Sequence, residues 1–214
     1  GGDVEIEFAV ALDPRGRAKP RFGFLQARPM AVSREEVSVS EKELRGKSVI
    51  VASENVMGNG TREDIADVVY LKPASFDAAH TRAIAEEVSE VNQRLVEEGR
   101  PYMAVGFGRW GSSDPWLGIP VDWGQISGAR VIVEATLPDM NPDMSQGSHF
   151  FHNLISFRVL YMSVPQSAAR GIDWKWLDRQ PSVSETDFIR HIRPETPLRV
   201  RVDGKSRRGV VEHA

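Results

Sequence analysis

The chain has no cysteine among its 214 residues, which excludes disulfides, thiolate catalysis and Cys-ligated zinc or iron–sulfur sites. No apolar run approaches the ~18 residues that a membrane-spanning helix needs, and no signal peptide is visible. Lysine is scarce, with six of the 27 basic residues, so arginine carries most of the positive charge. Acidic residues still outnumber basic ones, 30 to 27, for a net charge of -3. That balance gives no general attraction to nucleic acid or to an acidic membrane. A cytoplasmic protein with no nucleic-acid and no membrane partner is the expectation.

A hydrophobic content of 41% and a charged content of 27% describe an ordinary globular chain, long enough for one or two domains with a sizeable core. The pattern predicts an α/β (mixed α+β) fold in two parts. Residues 1–32 form a β-hairpin, and residues 33–214 form a mixed-sheet α/β domain. Ser33 to Lys47 reads as a linker. Val49–Ala52, Val68–Leu71, Tyr102–Phe107, Ala129–Ala135 and Phe157–Val164 read as strands, with Met57-Gly58-Asn59-Gly60 as a turn. Ile84, Val88, Val91 and Leu95 mark one face of a helix capped by Asp77 and ended by Gly99 and Pro101. Leu198, Val200 and Val202 alternate before a turn at Asp203-Gly204, and Val210-Val211 returns.

The first thirty residues carry the most chemistry. Val4, Ile6, Phe8 and Val10 alternate with Glu5 and Glu7, and a second run extends from Phe22 to Pro29. Joined through an Asp13-Pro14-Arg15-Gly16 turn, the runs would gather Glu5, Glu7, Gln26 and Arg28 at one patch. Carboxylates suit magnesium, and arginine supplies a planar fork for a phosphoryl group. An exposed strand face carrying charges is the plain alternative.

Val4-Glu5-Ile6-Glu7-Phe8 followed by Phe24-Leu25-Gln26-Ala27-Arg28-Pro29 resembles the closing hairpin of the ATP-grasp nucleotide-binding domain in phosphoenolpyruvate synthases and pyruvate phosphate dikinases. The resemblance covers about residues 3–30. It implies Mg2+ and ATP as cofactors, with Glu5, Glu7, Gln26 and Arg28 at the magnesium nucleotide and Glu5 and Glu7 toward the metal. The chain opens on Gly1-Gly2 without an initiator Met, so it reads as a fragment of such an enzyme. Its upstream ATP-grasp lobe would be the partner in the same polypeptide, and the fragment alone would be inactive.

Two further segments stand out. Gly106 to Pro120 places glycines, Arg109 and serines after a strand, a composition that can cradle a small-molecule phosphate or carboxylate. The alternative is a loop pinned by Trp110 and Trp116 as apolar anchors. Gly147-Ser148 can cap a helix beginning at His149, where free amides and the helix dipole would stabilise a phosphoryl group on the imidazole. His149 with His152 could instead share a metal.

The run from Val131 through Leu137-Pro138-Asp139-Met140 to Gly147-Ser148-His149 is similar in order to the swivelling domain of the same enzymes, where a histidine carries phosphate between sites. That second resemblance makes the domain a divergent swivelling, phosphohistidine-like one, with His149 as the catalytic carrier. The runner-up is a non-catalytic ligand-binding or regulatory module of an ATP-grasp protein, consistent with bulky Phe150-Phe151 after the histidine. His80, His191 and His213 read as surface residues.

Overall fold

The computed structural model describes residues 4–17, 19–29, 35–137, 149–168 and 171–214. The chain divides into two units, Gly1–Arg34 and Glu35–Ala214. The boundary expected near residue 32 and the Gln146-Gly147-Ser148 turn both lie outside the described residues. Among the described residues no helix is long and apolar enough to cross a membrane.

The first unit is a hairpin of β1 (Val4–Ala11) and β2 (Arg21–Pro29). Its turn is tied as the sequence predicts. Gly16 N–H donates to the Asp13 carbonyl at 3.0 Å, and the Asp13 carboxylate accepts from the N–H groups of Arg15 and Arg17. Gly16 adopts φ +66°, the left-handed conformation that glycine takes without a Cβ penalty.

The strands pair Glu5 with Arg28 and Glu7 with Gln26, then Phe8 with Phe24 and Val10 with Phe22. Phe22, Phe24, Gln26 and Arg28 are all even-numbered, so an unbroken β2 would put them on one face. The register slips by one residue at Leu25, and this bulge reverses the alternation. Phe22 and Phe24 therefore join the Val10 and Phe8 face, while positions 26 and 28 join positions 7 and 5. Phe8 and Phe22 stack with centroids 5.1 Å apart. The apolar face stays open within this unit, from 48% exposure at Val10 to 65% at Phe22.

In chain order the second unit comprises β3 (Val49–Ser53), β4 (Val56–Met57), β5 (Gly60–Ile65), β6 (Asp67–Leu71), α1 (Thr81–Glu97), β7 (Tyr102–Phe107), β8 (Arg109–Trp110), β9 (Gly118–Ile119) and β10 (Ala129–Ala135). It continues with α2 (His149–Ser156), β11 (Leu160–Val164), α3 (Trp174–Arg179), β12 (Ser182–Glu185), β13 (Ile189–Ile192), β14 (Leu198–Asp203) and β15 (Arg208–Glu212). Seven strands form one sheet in the order β12-β13-β6-β7-β10-β11-β4. Its four central strands, β6, β7, β10 and β11, run parallel, and β12, β13 and β4 each pair antiparallel with their neighbours. A second, antiparallel sheet has the order β3-β15-β14-β5. The mixed α/β class expected from sequence is the class observed.

The parallel strands are buried on both sides, which is why they read as unbroken apolar runs. Val69, Leu71, Ala104, Ile132 and Tyr161 share a core with Ile84, Val88, Val91 and Leu95 of α1. The alternate residues Val68, Tyr70, Met103, Val105, Val131, Val133 and Met162 share another with Ile50, Ile65, Leu198, Val200, Val202 and Val211 of the antiparallel sheet. α1 and α2, the seven-stranded sheet and the four-stranded sheet therefore make three layers, and α3 adds Leu177 to the core of the antiparallel sheet.

Several local expectations need correction. Asp77 caps a short 3-10 turn at Ala78–His80 by accepting from Ala79 N–H, and α1 follows from Thr81. Its end is as expected: Gly99 has φ +65°, and Arg100 N–H returns to the Leu95 carbonyl at 2.8 Å, closing the left-handed cap. Phe157 and Arg158 end the α2 segment, and β11 begins only at Leu160. Within the supposed linker, Val39 and Leu44 are buried against Val49, Ala52 and Val210. Val49–Ser53 and Asp67–Leu71 belong to different sheets, with β4 and β5 between them.

Candidate functional site

The parallel strands end together, and open α/β sheets bind ligands beyond that carboxyl edge. β7 leads there into Gly108, whose N–H donates to the Ala135 carbonyl at the end of β10, 2.9 Å away. β8 then pairs with β9. Gly118 permits this approach, because a Cβ there would lie 2.0 Å from the Arg109 carbonyl oxygen. Gly111 turns the chain with φ +78°, and a Cβ on it would meet the Phe150 ring at 2.7 Å.

Phe150 directly follows His149, the first residue of α2. The fold thus brings the first turn of α2 against the turn that carries Arg109. These two segments are far apart in sequence, and nothing in either predicts their meeting. His149 is the first described residue of α2. His152 lies one turn further along α2.

Beneath this junction lies Glu134, 7% exposed. Its Oε1 accepts the Trp110 backbone N–H at 2.9 Å, and its Oε2 accepts the Tyr161 hydroxyl. Burial pushes the Glu134 carboxyl up to about 7, against the opposing pull of Tyr161, Trp110 N–H and Arg109. Burial, with Glu134 beside it, also pushes Tyr161 well above the usual tyrosine range. In the sequence Glu134 has no role beyond its place in the Ala129–Ala135 strand. The one available signal was a carboxylate inside the otherwise apolar Val131–Ala135 run.

The glycine-rich loop divides its expected roles. Trp110 is an anchor at 2% exposure, but Trp116 is 72% exposed and anchors nothing. The Ser112 hydroxyl donates to the Asp114 carbonyl and accepts Asp114 N–H, while Asp114 Oδ1 accepts Trp116 N–H. That hydroxyl therefore orders the loop. On its outer side Ser112 and Ser113 join Arg82, Glu86 and Asp122 around a cleft of about 430 Å³.

A second charged cluster was not foreseen. Asp67, fully buried at the start of β6, meets His191 Nε2 at 2.8 Å, Arg193 Nε at 2.9 Å and Arg100 Nη2 at 2.6 Å. Burial opposes its ionisation, yet the hydrogen bonds from His191, Arg193 and Arg100 hold its carboxyl below the usual range. His191 is 1% exposed, which corrects its expected place on the surface. The arginines near the C-terminus are engaged within the fold as well: Arg201 pairs with Glu43 and Glu212, Arg208 with Glu41 and Arg199 with Glu63.

Glu5 and Glu7 alternate along β1 opposite Arg28 and Gln26, an oxygen-rich and basic set of the kind that suits a magnesium polyphosphate. Among the described residues no three His, Asp or Glu side chains converge as a metal site. Compared with known proteins, the chain matches no family model, no curated protein and no solved structure at a significant level.

Proposed function

We propose that this chain is part of an ATP-dependent phosphotransferase of the phosphoenolpyruvate synthase and pyruvate phosphate dikinase kind. In this reading β1–β2 closes a nucleotide site completed by an upstream ATP-grasp lobe of the same polypeptide, and His149 carries the phosphoryl group. The observation that carries the reading is the hairpin register, which pairs Glu5 with Arg28 and Glu7 with Gln26 through the bulge at Leu25. Bulges are over-represented next to active sites, where they re-aim a side chain.

The residues have distinct tasks. Glu5 and Glu7 hold magnesium, while Gln26 and Arg28 orient phosphate oxygens. Bound magnesium supplies charge neutralisation on the polyphosphate. The open apolar face of the hairpin is the face that would pack on the upstream lobe. His149, at the start of α2, is set where helix amides favour an anion, and Arg109 lies in the segment that the Phe150 ring touches.

The test uses the full-length polypeptide with Mg2+ and ATP radiolabelled in its phosphates. An acid-labile, base-stable label is expected, lost in His149→Ala and strongly reduced in Glu7→Gln and Arg28→Ala. Label that survives His149→Ala removes the carrier role. No labelling at all overturns the phosphotransferase reading.

The cleft at Ser112 and Ser113 favours a second reading, a non-catalytic module that binds a small phosphate or carboxylate ligand. Arg82 would supply its cation. Specific binding of such an anion to the chain, lost in Arg82→Ala and accompanied by no labelling of the full-length polypeptide, would select this alternative.

A further inference from the structure

Glu134 completes a backbone ladder in place of a missing strand. At β8 the N–H groups of Arg109 and of Gly111, which follows the strand, face the Leu117–Ile119 segment and donate to the carbonyls of Leu117 and Ile119. The intervening Trp110 N–H points the other way, as alternation requires, and finds the Glu134 carboxylate at 2.9 Å. Beside the Trp110 indole N–H, which donates to the Val133 carbonyl at 3.4 Å, two backbone N–H groups therefore hook the Gly108–Trp110 segment to the end of β10. One bond, from Gly108 to the Ala135 carbonyl, depends on backbone alone. The other depends on a side chain that can take up a proton.

We propose that Glu134 is the positioning residue of the Arg109–Trp110 segment, holding it beside the first turn of α2 when ionised and slackening that hold when protonated. Its consequence for phosphoryl transfer rests on the reading of His149 as the carrier; the hook itself does not. With the carboxylate ionised, both of its hydrogen bonds are charge-assisted, roughly twice as strong as neutral ones. A proton on Oε2 turns that oxygen into a donor. The Tyr161 hydroxyl can rotate to accept it, but Trp110 N–H can only donate and is left with a neutral carbonyl oxygen. The attraction on Arg109 weakens at the same time.

Gly111 follows Trp110 directly and lies against the Phe150 ring, so slack in the hook reaches the residue next to His149. The surrounding elements carry Arg109 on β8, Tyr161 on β11, Tyr102 at the start of β7, and His149 and His152 on α2. Burial places the Glu134 transition near neutral pH, within the range where a cell's pH varies.

The test follows the Trp110 backbone amide by nuclear magnetic resonance on the 214-residue chain between pH 5.5 and 8.5. A single titration of its proton shift is expected, moving downfield as pH rises. It should vanish in Glu134→Gln and persist in His149→Gln and His152→Gln. An amide that does not titrate, or that titrates unchanged in Glu134→Gln, overturns the proposal. Should Glu134→Gln fail to fold, Tyr161→Phe removes one donor to the carboxylate and must move the midpoint to higher pH; an unmoved midpoint is equally fatal. In the full-length polypeptide, Glu134→Gln should flatten the pH profile of His149 labelling. A titrating amide in a polypeptide that never labels keeps the hook and removes the carrier.

Discussion

Asp67 and His191 stand 124 positions apart in the chain and 2.8 Å apart in the fold. With Arg100 and Arg193 they fasten the start of β6 to the far end of β13, on the antiparallel side of the seven-stranded sheet. Removing one partner of a buried ionic group leaves the others without compensation. Asp67→Asn is therefore expected to lower stability by about 3 kcal/mol, read from urea denaturation at pH 7. The pH dependence has a defined sign. Because the Asp67 carboxyl is held below its ordinary value, its contribution is present above that ordinary value and is lost as pH falls through the lowered one. Acid denaturation of Asp67→Asn should accordingly be shallower than that of the wild type.

Glu134 works in the opposite sense. Its carboxyl is raised from 4.5 to about 7, so between those values the folded chain holds a proton that the unfolded chain has released. The stabilisation is complete below pH 4.5 and is lost as pH rises toward 7. Thermal melts from pH 5 to 8 should show wild-type stability declining relative to Glu134→Gln, by on the order of a few kcal/mol over the window. A constant difference between the two proteins across that range would contradict the assignment.

The two tryptophans of the glycine-rich loop should behave very differently. Trp110→Ala removes a fully packed side chain and an indole N–H that donates to the Val133 carbonyl, and a loss of about 3–5 kcal/mol is expected. Trp116→Ala changes an exposed loop tip and should stay within about 0.5 kcal/mol of the wild type. Equilibrium unfolding of both variants checks the contrast.

The bulge at Leu25 gives a prediction about register. Deleting Leu25 restores even alternation while keeping Phe8 opposite Phe24 and Glu7 opposite Gln26, so the cross-strand nuclear Overhauser contacts of these pairs should persist. Inserting a second residue beside Leu25 keeps that parity but leaves two residues of β2 without partners, so it should instead shift the register of one end of β2 by two or bulge out of the ladder. Loss of the Glu7–Gln26 contacts on deletion would show that the bulge does more than correct parity.

Local features were legible in the sequence. The 4-3-4 spacing of Ile84, Val88, Val91 and Leu95 marked the buried face of α1, Gly99 marked its end, and Asp13 to Gly16 marked the hairpin turn. Ala129–Ala135 stood out because its alternate positions serve two cores, and Leu198–Asp203 because Leu198, Val200 and Val202 alternate with Arg199 and Arg201. Features that depend on distant partners were not legible. β12 has polar, largely exposed residues and owes its pairing to β13, so no run announced it. Phe157 suggested a strand by its apolar character, but stacking on Trp123 at 5.2 Å keeps it with the α2 segment. The meeting of Arg109's turn with His149's helix, and the four-residue cluster at Asp67, exist only once the sheet has ordered its strands.

The two-sided burial of β6, β7, β10 and β11 also bears on cooperativity. These strands are a common wall for the two larger cores of the second unit, so neither α1 and α2 nor the antiparallel sheet can peel away without exposing apolar residues packed against the other layer's support. Within that unit the layers should melt in one transition. Local opening should be confined to segments outside the shared wall, such as the loop that carries Trp116.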